Sequence, residues 1–173
     1  MPYDLTSPSP GSTGTPDPAG TARPYVYLVR DDVVVPVKAQ TDRATLPSAA
    51  VTDVLAQLAE GPSERERAAG LSTALGPGTA LRLRVLAENV ATVDLTSGDQ
   101  APAASRVPLA VAQVVLTVTS VPGVDRVRMT RDGQPVELPL PGGALTGSPV
   151  GARDYLPLTR RPAPLPTGTM GNP

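Results

Sequence analysis

Proline decides where this chain can and cannot build regular structure. Six of its 22 prolines fall in residues 1–24 and eight in residues 139–173, which leaves eight for the long middle of a 173-residue chain. Proline fixes its own φ, donates no backbone hydrogen bond and interrupts helix and ladder interiors. The leading stretch SPSPGSTGTPDPAGTARP has, prolines aside, no apolar residue larger than alanine, so burial cannot offset the entropy of ordering it. Residues 1–24 are therefore expected to form a disordered tether rich in Pro, Gly and Ser. Residues 156–173, with the sequence LPLTRRPAPLPTGTMGNP, are expected to form a disordered tail of polyproline-like character. A single domain is expected between them, over residues 25–155.

The side chains that are missing exclude much chemistry. The chain has no Cys, His, Trp or Phe, and its aromatic residues are four tyrosines, Tyr3, Tyr25, Tyr27 and Tyr155. Disulfides, thiolate nucleophiles, Cys/His zinc sites, haem ligation and a Ser-His-Asp triad all require absent residues. A metal could be held only by oxygen ligands. No cofactor is expected, and the reading is that the protein is not an enzyme. Fifteen basic residues face 16 acidic ones for a net charge of −1, and Lys38 is the single lysine. That balance gives no support to nucleic-acid binding, which calls for a concentrated basic surface. No run of 18 apolar residues exists to span a membrane.

Inside the middle segment the apolar period switches repeatedly. YVYLVR and VVVPVK, Tyr25–Arg30 and Val33–Lys38, flank Asp31-Asp32 as a hairpin, with Pro36 assigning the second strand to an edge or a bulge. Ser48 is expected to cap a helix whose buried face is Val51, Val54, Leu55 and Leu58 and whose end is Gly61-Pro62. A short helical turn follows over residues 63–69, stopped by Gly70. Leu81, Leu83 and Val85 alternate with Arg82 and Arg84, and after a Glu88-Asn89 turn the strand VATVDL returns. The valine-rich run 107–121 has strand propensity. Its length, its Pro122-Gly123 stop and a single polar stripe, Gln113, Thr117 and Ser120 at i, i+4, i+7, make it a deeply buried helix. Val127 and Met129 alternate with Arg126 and Arg128 before the Asp132-Gly133 turn and a return carrying Val136 and Leu138. The expected class is α+β: an antiparallel sheet of hairpins with two main helices packed on one face and a core of Val, Leu and Ala.

Few residues stand out as a site. Asp31-Asp32 reads as a turn more readily than as a carboxylate pair, and Glu64 and Glu66, interleaved with Arg65 and Arg67, read as a solvated helix surface. Asp94 interrupts an apolar strand; it is an outward-facing strand residue or an acceptor for a ligand or a neighbouring loop. Pro77-Gly78-Thr79 and Gly142-Gly143 are turn chemistry without a phosphate-loop pattern. Arg82, Arg84, Arg126 and Arg128 occupy the polar faces of two strands. Were those strands neighbours, four guanidinium groups would share one open face suited to carboxylate or phosphate. The bland alternative is that they keep the sheet soluble and pair with acidic residues. The Gln113–Thr117–Ser120 stripe faces either water or another surface.

Taken together, YVYLVRDDVVVPV, AVTDVLAQLAEGPSERERAAGLSTALGPGT, ENVATVDL and VPLAVAQVVLTVTSVPGVDRVRMTRDGQPVEL resemble the GerMN domain, the sporulation and spore-germination module of bacterial envelope lipoproteins, over about residues 25–155. The matching marks are Glu60-Gly61-Pro62, Pro77-Gly78-Thr79, Val93-Asp94-Leu95 and Pro122-Gly123-Val124. The resemblance implies a fold similar to the ring-building motif of secretion and sporulation complexes. It also implies a non-catalytic protein–protein assembly role outside the cytoplasm, with an envelope protein or a second copy of the chain as partner. The proline-rich leader with PYDL resembles the segment after the lipobox cysteine of actinobacterial GerMN lipoproteins. The signal and that cysteine are not in this sequence, so membrane attachment is expected only through a lipid anchor that these residues do not include. The competing reading is a module that binds an anionic wall polymer or small ligand through Arg82, Arg84, Arg126 and Arg128.

Overall fold

The computed structural model describes residues 23–41 and 46–159. The expected tether and tail lie outside the described residues, apart from residues 23–24 and a 3-10 turn at Leu156–Thr159.

The first hairpin pairs β1 (Tyr25–Arg30) with β2 (Val33–Lys38) across the Asp31-Asp32 turn. Both turn residues have positive φ, 49° and 60°, as a two-residue turn matched to strand twist requires. The turn makes Arg30 and Val33 the hydrogen-bonded closing pair, so with strict alternation Tyr27 and Pro36 form a non-hydrogen-bonded pair. The position of Pro36 that lacks a proton therefore faces away from β1, and β2 is an unbulged edge strand.

The same alternation points the N–H and C=O groups of Tyr25, Tyr27 and Val29 away from β2. A helix receives the first two. Ser120 Oγ accepts from the Tyr25 N–H at 2.8 Å and Thr117 Oγ1 from the Tyr27 N–H at 2.9 Å, and Gln113 Nε2 donates to the Tyr27 carbonyl at 2.9 Å. Val29 exchanges two 2.8 Å bonds with Ser72. Gln113 also accepts the Ala74 N–H at 2.6 Å, so one fully buried amide ties β1 to the 72–75 segment. The polar stripe is thus a seam closing the outer edge of β1, and Gln113 and Thr117 are completely buried in it.

Helix α1 (Pro47–Glu60) buries Val51, Val54, Leu55 and Leu58 as their spacing dictates and ends at Gly61, whose φ is 77°. Its N-cap is Leu46, without a side-chain bond; Ser48 lies inside the first turn, where its carbonyl accepts from the Thr52 hydroxyl, so the expected cap lies two residues too late. Pro47 displaces it, since proline's fixed φ suits the first helical position. Helix α2 (Glu64–Ala68) follows with a reciprocal cap between Ser63 and Glu66.

A second sheet carries β3 (Ala80–Ala87), β4 (Val90–Thr96), β5 (Arg126–Arg131) and β6 (Gln134–Pro135) in that order. The β3–β4 and β5–β6 hairpins are antiparallel. Strands β4 and β5 are parallel, because the 13-residue helix α3 (Val107–Thr119) carries the chain from one end of the sheet back to the other. The α+β class and its hairpins stand, with this detail: the hairpins do not merge into one antiparallel sheet, and β1–β2 stays separate against α3. Short pairs β7 (Leu138–Pro139) with β8 (Leu145–Thr146), and β9 (Val150–Gly151) with β5, lead to α4 (Ala152–Tyr155).

Helix α3 is buried continuously from Leu109 to Val118. It packs between β1 on one side and the inner sheet face of Ala91, Val93, Val127 and Met129 on the other, with α1 alongside. Aliphatic side chains build almost all of this core. Tyr155 is the one aromatic among its fully buried residues, donating to the Pro139 carbonyl at 3.0 Å, and burial pushes its hydroxyl pKa up to about 12.

The seam predicts a specific weakness. Gln113→Leu keeps the shape of the side chain but orphans the Tyr27 carbonyl and the Ala74 N–H, at about 1–3 kcal/mol for each buried group. Urea unfolding should show a loss of about 2–5 kcal/mol with an unchanged slope.

Candidate interaction surface

The face of the second sheet turned away from α3 collects most of the residues that the sequence singles out. Across β3, β4 and β5 the register aligns Arg82 with Asp94 and Thr130, Val85 with Thr92 and Arg128, and Ala87 with Val90 and Arg126. Side chains paired across strands share a face, so Arg82, Arg126 and Arg128 all project outward, and all are exposed. The two arginine-bearing strands are not neighbours. Strand β4 lies between them, which separates the arginine columns by two strand spacings, about 10 Å.

A β-bulge shapes this face. Leu83 pairs with Val93 and Val85 with Thr92, leaving Arg84 as the extra residue. Regular alternation would place Val85 inward beside Leu81 and Leu83. The bulge instead shifts the parity, so that Leu86 turns in and Val85 stands 55% exposed among the arginines. This corrects the expectation of an unbroken Leu81–Leu83–Val85 stripe. The bulge also aims Arg84 across β4, where its Nε lies 3.8 Å from Asp94 Oδ2 and its guanidinium overhangs Gly133.

Asp94 is only 8% exposed. Its Oδ1 accepts from Thr130 Oγ1 at 2.5 Å and from the Gly133 N–H at 2.9 Å. It lies on the outward face, yet the β5–β6 turn and Arg84 cover it, so of the readings open for it the neighbouring-loop acceptor is the one realised. The Thr130 hydroxyl, then the Gly133 amide, and more weakly Arg84 and Arg82, hold its carboxyl below the usual range, against an opposing effect of burial. Thr130 was not singled out in the sequence; its only signal is its place one turn before Asp132-Gly133.

With Asp94 committed to Arg84, no other Asp or Glu lies within 4 Å of a guanidinium among the described residues. Arg82, Arg126 and Arg128 are without a carboxylate partner there. The remaining candidates resolve as structure. Asp31-Asp32 is the hairpin turn, Glu66 caps α2, and the Pro77-Gly78 and Gly142-Gly143 stretches are turns. No group of three or more carboxylates among the described residues could hold a metal ion. No described helix is long and apolar enough to cross a membrane. A separate groove of about 380 Å³ runs between α3 and the β4–β5 ends, floored by Val114 and Met129 and rimmed by Arg131 and Glu137.

A family model described as Germane, sporulation and spore germination, matches residues 25–137, more than half of the chain. The chain belongs to the Germane family. Solved structures share the fold of this Germane domain. The first GerMN domain of the sporulation protein GerM from Bacillus subtilis aligns with a TM-score of 0.56 and 16% identity, over 77% of this chain and 99% of that one. The tandem GerMN domains of the same protein align with a TM-score of 0.59 and 17% identity, over 78% of this chain and 47% of that one, so the chain spans about half of the tandem structure. A candidate lipoprotein from Clostridium perfringens aligns with a TM-score of 0.52 and 17% identity, over 78% of this chain and 88% of that one. A comparison with curated protein sequences finds no match.

The sequence marks of the Germane domain fall at its joints. Gly61 ends α1, Pro77-Gly78 turns the chain into β3, and Pro122-Gly123 turns it from α3 toward β5, with Gly78 and Gly123 at φ 71° and 90°. Val93-Asp94-Leu95 is the clamp on the β5–β6 turn. Because the folded-state pKa of Asp94 is depressed below its ordinary 3.8, its contribution to stability is fully present above about pH 4 and is lost as pH falls through the lowered value. Denaturation between pH 5 and pH 2 should show a shallower acid loss for Asp94→Asn than for the parent chain, from a lower starting stability.

Proposed function

We propose that this Germane domain is a non-catalytic assembly module of the bacterial cell envelope, working outside the cytoplasm by binding another protein. One observation carries the reading: three exposed guanidinium groups without carboxylate partners among the described residues share one open sheet face with an exposed valine. Arginine beside apolar contact is the composition enriched at protein interfaces. Polar groups inside the domain support it from the other side, since Gln113, Thr117 and Asp94 are all taken up by backbone or neighbouring side chains of the fold. Strand β2, whose one strand partner among the described residues is β1 and which also packs against the Leu156–Thr159 turn, offers a second place for another envelope protein or a second copy to add. The location rests on the sporulation description of the family and on the lipoprotein description of the C. perfringens neighbour. In intact protoplasts of the source cell, external protease should cleave the protein.

The same arginines favour a second reading, capture of an anionic wall polymer or small anion, because phosphate and carboxylate are the natural ligands of unpaired guanidinium. The triple change Arg82→Glu, Arg126→Glu and Arg128→Glu separates the two. Protein assembly predicts that site-specific cross-links from this face to another protein disappear in cells while the unfolding midpoint of the domain stays near that of the parent. Polymer capture predicts instead that purified wall material binds the parent domain, releases it in high salt and fails to bind the triple variant.

A further inference from the structure

The arginine face of the Germane domain is not uniformly cationic, and its most exposed large apolar side chain, Val85, is there because of backbone geometry. Without the bulge at Arg84, Val85 would face the core; with it, a 55% exposed valine is aligned with Thr92 and Arg128, flanked by Arg82 and Arg126 in the rows on either side. The inward place is taken by Leu86, which pairs with the fully buried Ala91. The exposed valine therefore does nothing for the core that a polar residue would not do at less cost in water-exposed apolar area.

We infer that this face, which carries Val85 on its edge strand β3, docks an acidic protein surface that presents one apolar side chain beside carboxylates. The inference rests on the assembly reading above and names the chemistry of its partner. Charge decides the sign of the partner. Asp94 is occupied by Thr130, Gly133 and Arg84, and Arg82, Arg126 and Arg128 have no carboxylate within 4 Å among the described residues. Two-fold self-pairing of the face would set these arginines against their own copies, which disfavours a second copy as the occupant. Shape decides the partner's class. A phosphate polymer needs only the guanidinium groups and gains nothing from Val85, whereas a protein surface can dehydrate the valine on β3 while the arginines along β3 and β5 form ion pairs beside it. Thr92, between Val85 and Arg128, adds a small half-buried contact instead of another charge.

The test uses the whole chain, 15N-labelled, titrated with three probes: a seven-residue glutamate peptide with leucine at its centre, the corresponding all-glutamate peptide, and inorganic polyphosphate. The leucine-centred peptide should shift the amides of β3, β4 and β5 around Val85, and bind at least about fivefold tighter than the all-glutamate peptide, the effect expected from dehydrating a half-exposed valine. Val85→Ser, a surface change that leaves the core intact, should abolish that advantage without altering polyphosphate binding. Arg128→Gln should weaken all three. Equal affinity for both peptides, or no effect of Val85→Ser, overturns the inference. If polyphosphate alone then binds, the wall-polymer reading takes its place. If the peptides bind but shift β2 instead, the inference falls while protein assembly stands. Absence of any binding at millimolar probe also overturns it.

Discussion

The outer edge of β1 is closed by the side chains of a helix and not by another strand, and the rest of the domain is arranged around that fact. A free strand edge inside a protein carries backbone groups that must find partners. Here Ser120, Thr117 and Gln113 supply them from α3, and Ser72 supplies the last. A helix satisfies its own backbone, so α3 can lie fully buried between the first hairpin and the second sheet, lending three polar side chains to one neighbour and its aliphatic surface to the others. Once α3 occupies that position it must also return the chain across the sheet, and the parallel pairing of β4 with β5 follows.

Asp94 plays the corresponding part on the opposite surface. One carboxylate holds the β5–β6 turn through Gly133, holds β5 through Thr130, and draws Arg84 over β4 from the bulge in β3. The bulge that makes this reach possible also puts Val85 outside. Fold and surface are therefore coupled: the same inserted residue lays an exposed guanidinium over the buried Asp94 and shifts Val85 onto the arginine face.

Much of the fold was legible because local rules agreed with one another. Asp31-Asp32, Glu88-Asn89 and Asp132-Gly133 read as hairpin turns and adopt positive φ. Val51, Val54, Leu55 and Leu58 read as a helix face and are buried. The 107–121 run read as a helix despite its valines, since its polar residues kept a helical period. The helix start at Ser48 was misplaced by one local preference competing with another, a hydroxyl cap against Pro47. Val85 was misplaced for a different reason: a bulge leaves no mark in a sequence that alternates perfectly, because it is set by pairing with β4. For the arginines the sequence made one shared face conditional on their strands being neighbours; β4 lies between those strands, so the outward arginines stand in two columns instead of side by side.

Sequence by itself determined the chemistry available and the local geometry: an aliphatic core, no thiol or imidazole, turns at the Asp, Asn and Gly pairs, and a helix with one polar stripe. These depend on side-chain identity and short-range sterics, which act within a few residues. Tertiary structure alone decided what the stripe touches, which carboxylate Arg84 reaches, that β4 runs parallel to β5 and that Val85 faces water. The stripe and the β4–β5 pairing join residues tens of positions apart, and Arg84 and Val85 take their places from the register of β3 on β4; such contacts are fixed only when every strand edge and buried polar group in the domain must find a partner at once.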